Sequence, residues 1–293
     1  MTRHQVERDG LVFSVFRDGT SGGEPVVLLH GFPDIPSTFH HQTAALAAAG
    51  YEVLSPALRG YEPSSVPPDR NVSVAEIARD LIAVIDDFNC KRVHLIGHDW
   101  GAVVGYAFAA MFPERVASLA TIAAPPPLRA IALLRRFPAQ LRNSWYMLFF
   151  QLPGAPLRAI ARDDWALIRT LWRDWSPGYA MSTEEWRERR DWFERAGVKR
   201  AMIDYYRQNF PLSVVLGLRK TEALRYRTIA APTLSITGAD DRCIDTRLFD
   251  DAFVDDDFPG GWRVERIDDA GHFVHLEASD TVNALLLNWL ARH

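Results

Sequence analysis

The chain reads as an α/β protein, a mostly parallel sheet flanked by helices with an inserted all-helical domain, and three observations predict it. Short apolar runs of strand length alternate with helical periods up to residue 125. Helical periods alone then follow to about residue 224, and the alternation resumes over the rest of the chain. The division expected is a core of residues 1–125 and 225–293 and a helical cap of residues 126–224.

Taken in order, Val26-Val27-Leu28-Leu29 and residues 51–56 are apolar runs that each end in a loop, the pattern of buried parallel strands. In residues 71–88, Val74, Ile77, Ala78, Leu81, Ile82, Ile85 and Phe88 recur at helical spacing, and Ser73 with Glu76 has the spacing of a capping box. A strand at residues 92–97 runs directly into a small-residue helix that reaches Met111 and is stopped by Pro113, and residues 116–124 form the next strand. The insert opens at Pro125-Pro126-Pro127 and holds six of the nine tryptophans. Strands at 232–237 and 263–267 follow, then an amphipathic helix at 278–290, and the acidic stretch 250–257 reads as a solvated loop face.

Length and composition set the class. At 293 residues, 48% hydrophobic and 24% charged, the chain is large enough for a core without staples and is neither repetitive nor low in complexity. The longest run without a charged or strongly polar residue, residues 100–112, is too short to span a bilayer, and the polar first residues build no apolar signal core. A cytoplasmic protein without membrane or nucleic-acid partners is expected. The insert carries 17 basic against 10 acidic residues and the remainder 16 against 27, but the whole chain has a net charge of −4, far from a nucleic-acid footprint. Only three of the 33 basic residues are lysines, which hints at a bacterial source. Cys90 and Cys243 form neither a disulfide framework nor a metal-ligand spacing, so two reduced thiols and no metal are expected.

The chemistry centres on Gly97-His98-Asp99-Trp100-Gly101, placed where a strand turns into a helix. Small residues on both flanks allow a sharp turn that projects the middle side chain above the sheet edge. G-x-D-x-G arises by chance about 0.1 times in such a chain, so its position carries the argument. A carboxylate there is ionised at pH 7 and attacks an sp³ carbon bearing a leaving group, such as an epoxide or a carbon–halogen bond. Helix capping is the bland reading of Asp99. The resulting ester needs a base to activate water and an acid to orient that base. His272, in Gly271-His272-Phe273 after the last strand, is the base in the chain order expected. The acid follows the strand at 232–237, where Asp240 and Asp241 both stand, and Asp241 is preferred.

These motifs, with His30-Gly31-Phe32-Pro33, resemble those of the epoxide hydrolases of the α/β-hydrolase superfamily, the soluble type with an aspartate nucleophile, over nearly the whole chain. The resemblance implies an α/β-hydrolase fold and no cofactor. It supports Asp241 as the fourth residue of a Gly-x-x-Asp turn, and it assigns the oxyanion hole to the backbone N–H groups of Phe32 and Trp100. It also implies that Tyr146 and Tyr206, on the cap, hold the epoxide oxygen; a phenol of ordinary pKa near 10 can protonate the alkoxide without ionising first. Tyr205 points about 100° from Tyr206 on a helix, so only one of them faces the site. The substrate pocket is expected from Phe32, Pro33, Trp100, Trp145, Phe149 and Phe273, and a homodimer is the expected assembly. His30, His98 and His275 are assigned to supporting and packing positions. The chain departs from the family in the loop 56–64, with Ala57 where Asp is usual and Glu62 where Gly is usual, which bears on the loop's internal salt bridge and shape and not on the three residues above.

Two other functions are carried. A haloalkane or haloacid dehalogenase shares the aspartate, histidine and fold; Trp100 and Trp145 could cradle halide, but Phe32 stands where many haloalkane dehalogenases have Asn, and Trp100 where the fluoroacetate type has Arg. A catalytically silent binding protein of the same fold would lack one member of the triad, and none is missing.

Overall fold

A computed structural model describes residues 1–216 and 228–293. Eight strands form one sheet: β1 (Thr2–Arg8), β2 (Leu11–Gly19), β3 (Pro25–Leu29), β4 (Glu52–Pro56), β5 (Val93–His98), β6 (Val116–Ile122), β7 (Thr233–Gly238) and β8 (Trp262–Ile267), in the spatial order β1-β2-β4-β3-β5-β6-β7-β8. All pairs from β4 to β8 are parallel, whereas β1 pairs antiparallel with β2 and β2 antiparallel with β4. The antiparallel hairpin is an addition to the sequence reading, whose first strand is at Val26. A local signal for it exists: Asp9-Gly10 is a turn pair, and both residues adopt positive φ.

Strand periodicity sorts the core into two layers. Val26, Leu28, Val53, Ile96, Ala120, Ile122, Leu234 and Ile236 face Leu46 of α1 (His40–Ala48) and Val282, Leu286 and Leu290 of α14 (Ser279–Leu290). Val27, Leu29, Leu54, Leu95 and Leu119 face α2 (Val74–Asp87) and α3 (Trp100–Met111). The capping box expected at the start of α2 does not form. Ser73 is the N-cap residue but its side chain makes no capping bond; the Glu76 carboxylate is drawn to Arg8 (3.2 Å) and Arg79 (2.5 Å), and the Ser73 N–H goes instead to Asn71 Oδ1 at 3.1 Å.

Between β6 and β7 the described residues are helical: α4 (Pro127–Leu133), α5 (Ala139–Asn143), α6 (Trp145–Gln151), α7 (Ala155–Ala159), α8 (Arg162–Trp175), α9 (Thr183–Phe193), α10 (Val198–Asn209) and α11 (Leu212–Val215). The expected cap boundary at 224/225 lies outside the described residues. Short α12 (Leu248–Ala252) and α13 (Val274–Glu277) complete the chain. The acidic stretch is not wholly solvated: Asp257 is buried and accepts from Arg129 at 2.7 Å. Among the described residues no helix is long and apolar enough to cross a membrane.

The helical segment is bonded to the loops at the carboxyl ends of the strands. Trp172 donates its indole N–H to the Pro33 carbonyl at 2.9 Å, and Tyr205 its hydroxyl to the Arg59 carbonyl at 2.8 Å. Arg189 and Asp34, both fully buried, pair at 2.9 Å. In the loop after β4, Ala57 is buried without a charge, and the Arg59 guanidinium pairs instead with Asp80 of α2 at 2.6 and 2.7 Å. Glu62 is buried as well and accepts from the Ser14 backbone, the Ser14 hydroxyl and Arg3 at 2.9–3.1 Å. Arg59 and Glu62 thus each have partners outside this loop.

Candidate active site

Parallel strands deliver their following loops to one edge of the sheet, where open α/β sheets place their sites. β5 leads to Asp99, β3 to Phe32, β7 to Asp241 and β8 to His272. Asp99 takes φ 50° and ψ −114° between β5 and α3, a backbone conformation that costs about 1–3 kcal/mol for a residue with a Cβ. The turn closes only because its flanks are glycine. A Cβ on Gly101 would lie 1.9 Å from the Leu29 carbonyl oxygen, and one on Gly97 would lie 2.3 Å from that of Gly101.

The Asp99 carboxylate does not cap α3. Its Oδ1 accepts from the Phe32 N–H at 2.8 Å, and its Oδ2 lies 3.7 Å from His272 Nε2, which has no hydrogen-bond partner among the described residues. The other His272 nitrogen, Nδ1, lies 3.0 Å from Asp241 Oδ2, and Asp241 is itself held through Oδ1 by the N–H groups of Cys243 (2.7 Å) and Ile244 (2.9 Å). Asp240 makes no such contact; its backbone N–H bonds to the Ala270 carbonyl. Burial alone would strip the charge from His272, but the carboxylates of Asp241 and then Asp99 outweigh it and raise the imidazole pKa to about 10. The resting site is therefore an imidazolium between two carboxylates.

Neighbouring residues hold this arrangement from behind. His98 donates from Nε2 to the His272 carbonyl at 3.1 Å, and burial, followed by the repulsion of His272, lowers its pKa to about 3. His30 accepts the Leu58 N–H at 3.2 Å through Nε2 and is lowered to about 4, chiefly by burial. His275 lies 2.7 Å from Thr38 Oγ1 and is likewise held neutral by burial. From the helical segment, the Trp175 carbonyl accepts the His272 N–H at 3.1 Å and Ser176 Oγ accepts the Phe273 N–H at 2.9 Å.

Above Asp99 lies a cavity of about 940 Å³ including its open mouth. Its walls are apolar, with Val103, Ile131, Leu134, Met147 and Phe210 among them, and its polar groups are Asp99, Gln140, Ser144, Tyr146 and Tyr206. The two phenols are buried, their rings 5.5 Å apart and nearly perpendicular. Burial, with Cys243 and Tyr206 for one and Asp99 and Cys243 for the other, pushes both pKa values well above 10, so both keep their protons. Tyr205 turns away: its hydroxyl goes to the Arg59 carbonyl and its ring lies edge-on to Trp100 at 5.3 Å.

Of the six expected pocket residues only Trp100 lines this cavity. Trp145 is 46% exposed, and the neighbouring ring of Phe149 packs toward it at 6.3 Å. The two share one face of α6, and Tyr146 and Phe150 occupy the buried one. Phe273 is stacked flat on Trp172 at 3.4 Å, Phe32 lies behind the tyrosines, and Pro33 contributes its carbonyl to Trp172. Two residues near the site escape the sequence reading: Gln140 has no motif around it, and Cys243 reads there only as a reduced thiol. The buried Gln140 side chain donates to the Cys243 carbonyl at 2.9 Å and accepts the Asp245 N–H at 2.6 Å, clasping the loop that carries Asp241. Cys243 places its sulfur 3.6 Å from the Tyr146 hydroxyl.

A strained aspartate at a strand-to-helix turn, an acid-oriented histidine and a helical cover define a hydrolase of the α/β class. Residues 24–279 match the alpha/beta hydrolase fold family, and the chain belongs to it. Epoxide hydrolase A of Mycobacterium tuberculosis is 32% identical, with 99% of this chain and 97% of that protein covered. Among solved structures, Epoxide Hydrolase A from Mycobacterium thermoresistibile has a TM-score of 0.82 at 28% identity, covering 99% of this chain and 98% of that one. A point mutant of an epoxide hydrolase from Bacillus megaterium, complexed with its naphthyloxy-propane-1,2-diol product, has a TM-score of 0.87 at 26% identity, covering 98% of this chain and 100% of that one. The fold and the epoxide hydrolase resemblance expected from the sequence are thereby borne out.

Proposed function

We propose that this protein hydrolyses epoxides to vicinal diols through a covalent ester on Asp99. The observation that carries the reading is a single carboxylate at the floor of an apolar cavity, faced by two protonated phenols and backed by His272 and Asp241.

Because Oδ1 of Asp99 already accepts the Phe32 N–H, Oδ2 is the attacking oxygen. It forms a bond to one epoxide carbon as the ring C–O bond breaks, and the ring oxygen takes a proton from Tyr146 or Tyr206. Esterification removes the Asp99 charge, so His272 loses one of the two carboxylates that hold its proton and releases that proton to the phenolate. Neutral His272, oriented by Asp241, then takes a proton from water. The hydroxide adds to the ester carbonyl, whose oxygen carries the charge beside the N–H groups of Phe32 and Trp100. Collapse frees the diol and restores the Asp99 carboxylate.

Residues 126–224 act in this reading as a cap domain on a core of residues 1–125 and 225–293, the cap supplying both tyrosines. We place the enzyme in the cytoplasm, in keeping with its two free thiols, and take it as a homodimer. The dehalogenase alternative is weakened by the position of Trp145, an indole it would use for halide, outside the cavity wall.

The test is the intact mass of His272→Gln after mixing with separate panels of epoxides and haloalkanes. The expected product is an adduct equal to a whole epoxide, on the peptide that contains Asp99. A haloalkane adduct lighter than its reagent by HX would make the protein a dehalogenase, and no adduct from either panel would refute the reading.

A further inference from the structure

Sulfur stands behind one of the two phenols. Cys243 is buried in the loop that follows Asp241, and its Sγ lies 3.6 Å from the Tyr146 hydroxyl, within hydrogen-bond reach for sulfur. The loop is not free to drift: the Cys243 N–H is tied to Asp241 Oδ1, and its carbonyl to the Gln140 side chain.

We propose that Cys243 is a positioning residue for Tyr146: when Tyr146 gives its hydroxyl hydrogen to the epoxide oxygen, the thiol donates its own S–H to the Tyr146 oxygen. The Tyr146 hydroxyl has no other acceptor among the described residues, so at rest it points its hydrogen at sulfur, a weak acceptor that is cheap to leave. Once that hydrogen turns to the substrate, the phenol oxygen is a free acceptor and becomes steadily more negative as its proton moves to the alkoxide. A donor aimed at that oxygen is worth most in the transition state, which is where an interaction accelerates a reaction. The thiol keeps its proton throughout and no bond to sulfur forms or breaks. Its surroundings suit that duty: burial, followed by the negative charges of Asp241 and Asp99, drives the thiol pKa well above 9, so sulfur remains an S–H donor and not a thiolate that the epoxide would alkylate.

The proposal rests on the epoxide hydrolase reading. It is tested by quenched-flow mass spectrometry with styrene oxide, which separates ester formation from ester hydrolysis. Cys243→Ala and Cys243→Val both remove the donor, so one remains if the other fails to fold; Cys243→Ser keeps it. The expected result is ester formation slowed about 5- to 10-fold in Ala or Val, recovery to within about 3-fold in Ser, and ester hydrolysis changed little in all three. In a Tyr146→Phe background the Ala or Val effect disappears. An equal loss in Ser and Ala, a loss that persists in the Tyr146→Phe background, or no loss at all overturns the proposal. A wild-type protein that forms no Asp99 adduct with any epoxide overturns the underlying reading, and is recognised before the variants are compared.

Discussion

Lowering the pH from 7 to 5.5 should destabilise the fold well before carboxylates titrate. His30, His98 and His275 are fully buried and neutral, with pKa values lowered to about 4, to about 3 and well below 6.5. Unfolding returns each to an ordinary value near 6.5. The unfolded chain therefore binds more protons, and stability present above pH 6.5 is lost as the pH falls toward the folded values. At 1.36 kcal/mol per proton and pH unit, each imidazole costs about 1.2 kcal/mol over this interval. His272 works in the opposite sense: its pKa is raised to about 10, so its stabilisation is complete only below pH 6.5 and fades as the pH rises through 10. Completing it returns about 0.8 kcal/mol, leaving a net loss of about 3 kcal/mol, a large share of the ~5–15 kcal/mol that holds a typical domain together. Urea unfolding at pH 7, 6.5, 6 and 5.5 measures it, with the slope near pH 5.5 giving an uptake of between about two and three protons. A loss below about 1 kcal/mol, or an uptake below one proton, would show that these imidazoles are not buried neutral and would refute the reasoning.

Two further expectations concern single side chains. Tyr146→Phe and Tyr206→Phe should each slow ester formation about 100-fold while leaving ester hydrolysis nearly unchanged, as read by quenched-flow mass spectrometry; an unaltered rate in both would remove the phenols from the reaction. Arg189→Met should cost about 3–5 kcal/mol in urea unfolding by stranding the Asp34 carboxylate in the interior, whereas Asp34→Asn combined with Arg189→Met should recover part of that loss.

Asp99, His272 and Asp241, which the fold brings together, are legible in the sequence because each sits in a short motif whose glycines serve a local turn, and local turns are written in adjacent residues. Long-range partners are not. Ala at position 57 offers the loop no carboxylate, and only the fold reveals that Arg59 pairs with Asp80, 21 positions on. The expected choice between Tyr205 and Tyr206 follows from helix geometry, but the direction in which each ring points depends on Trp100 and the Arg59 carbonyl, far away in the chain. The pocket is misjudged for the same reason: aromatic residues at 145 and 149 look like a substrate wall until α6 is docked, and docking buries Tyr146 and Phe150. Ser73 and Glu76 show the converse, a correct helix start whose expected side-chain bond loses to a pair of arginines.

The loop bearing His272 is gripped from above by the Trp175 carbonyl and the Ser176 hydroxyl, and the Pro33 carbonyl by the Trp172 indole. Lifting α8 off the sheet would pull His272 out of register with Asp99, so an enzyme that opened like a hinged jar would disarm itself at every turnover. On the proposed reaction, ligand exchange is expected at the rim instead, where Leu141 and Leu148 line the cavity and are each 46% exposed. Swinging two leucine side chains costs no hydrogen bond, and bulk added there should throttle diol escape while the chemistry below keeps its pace.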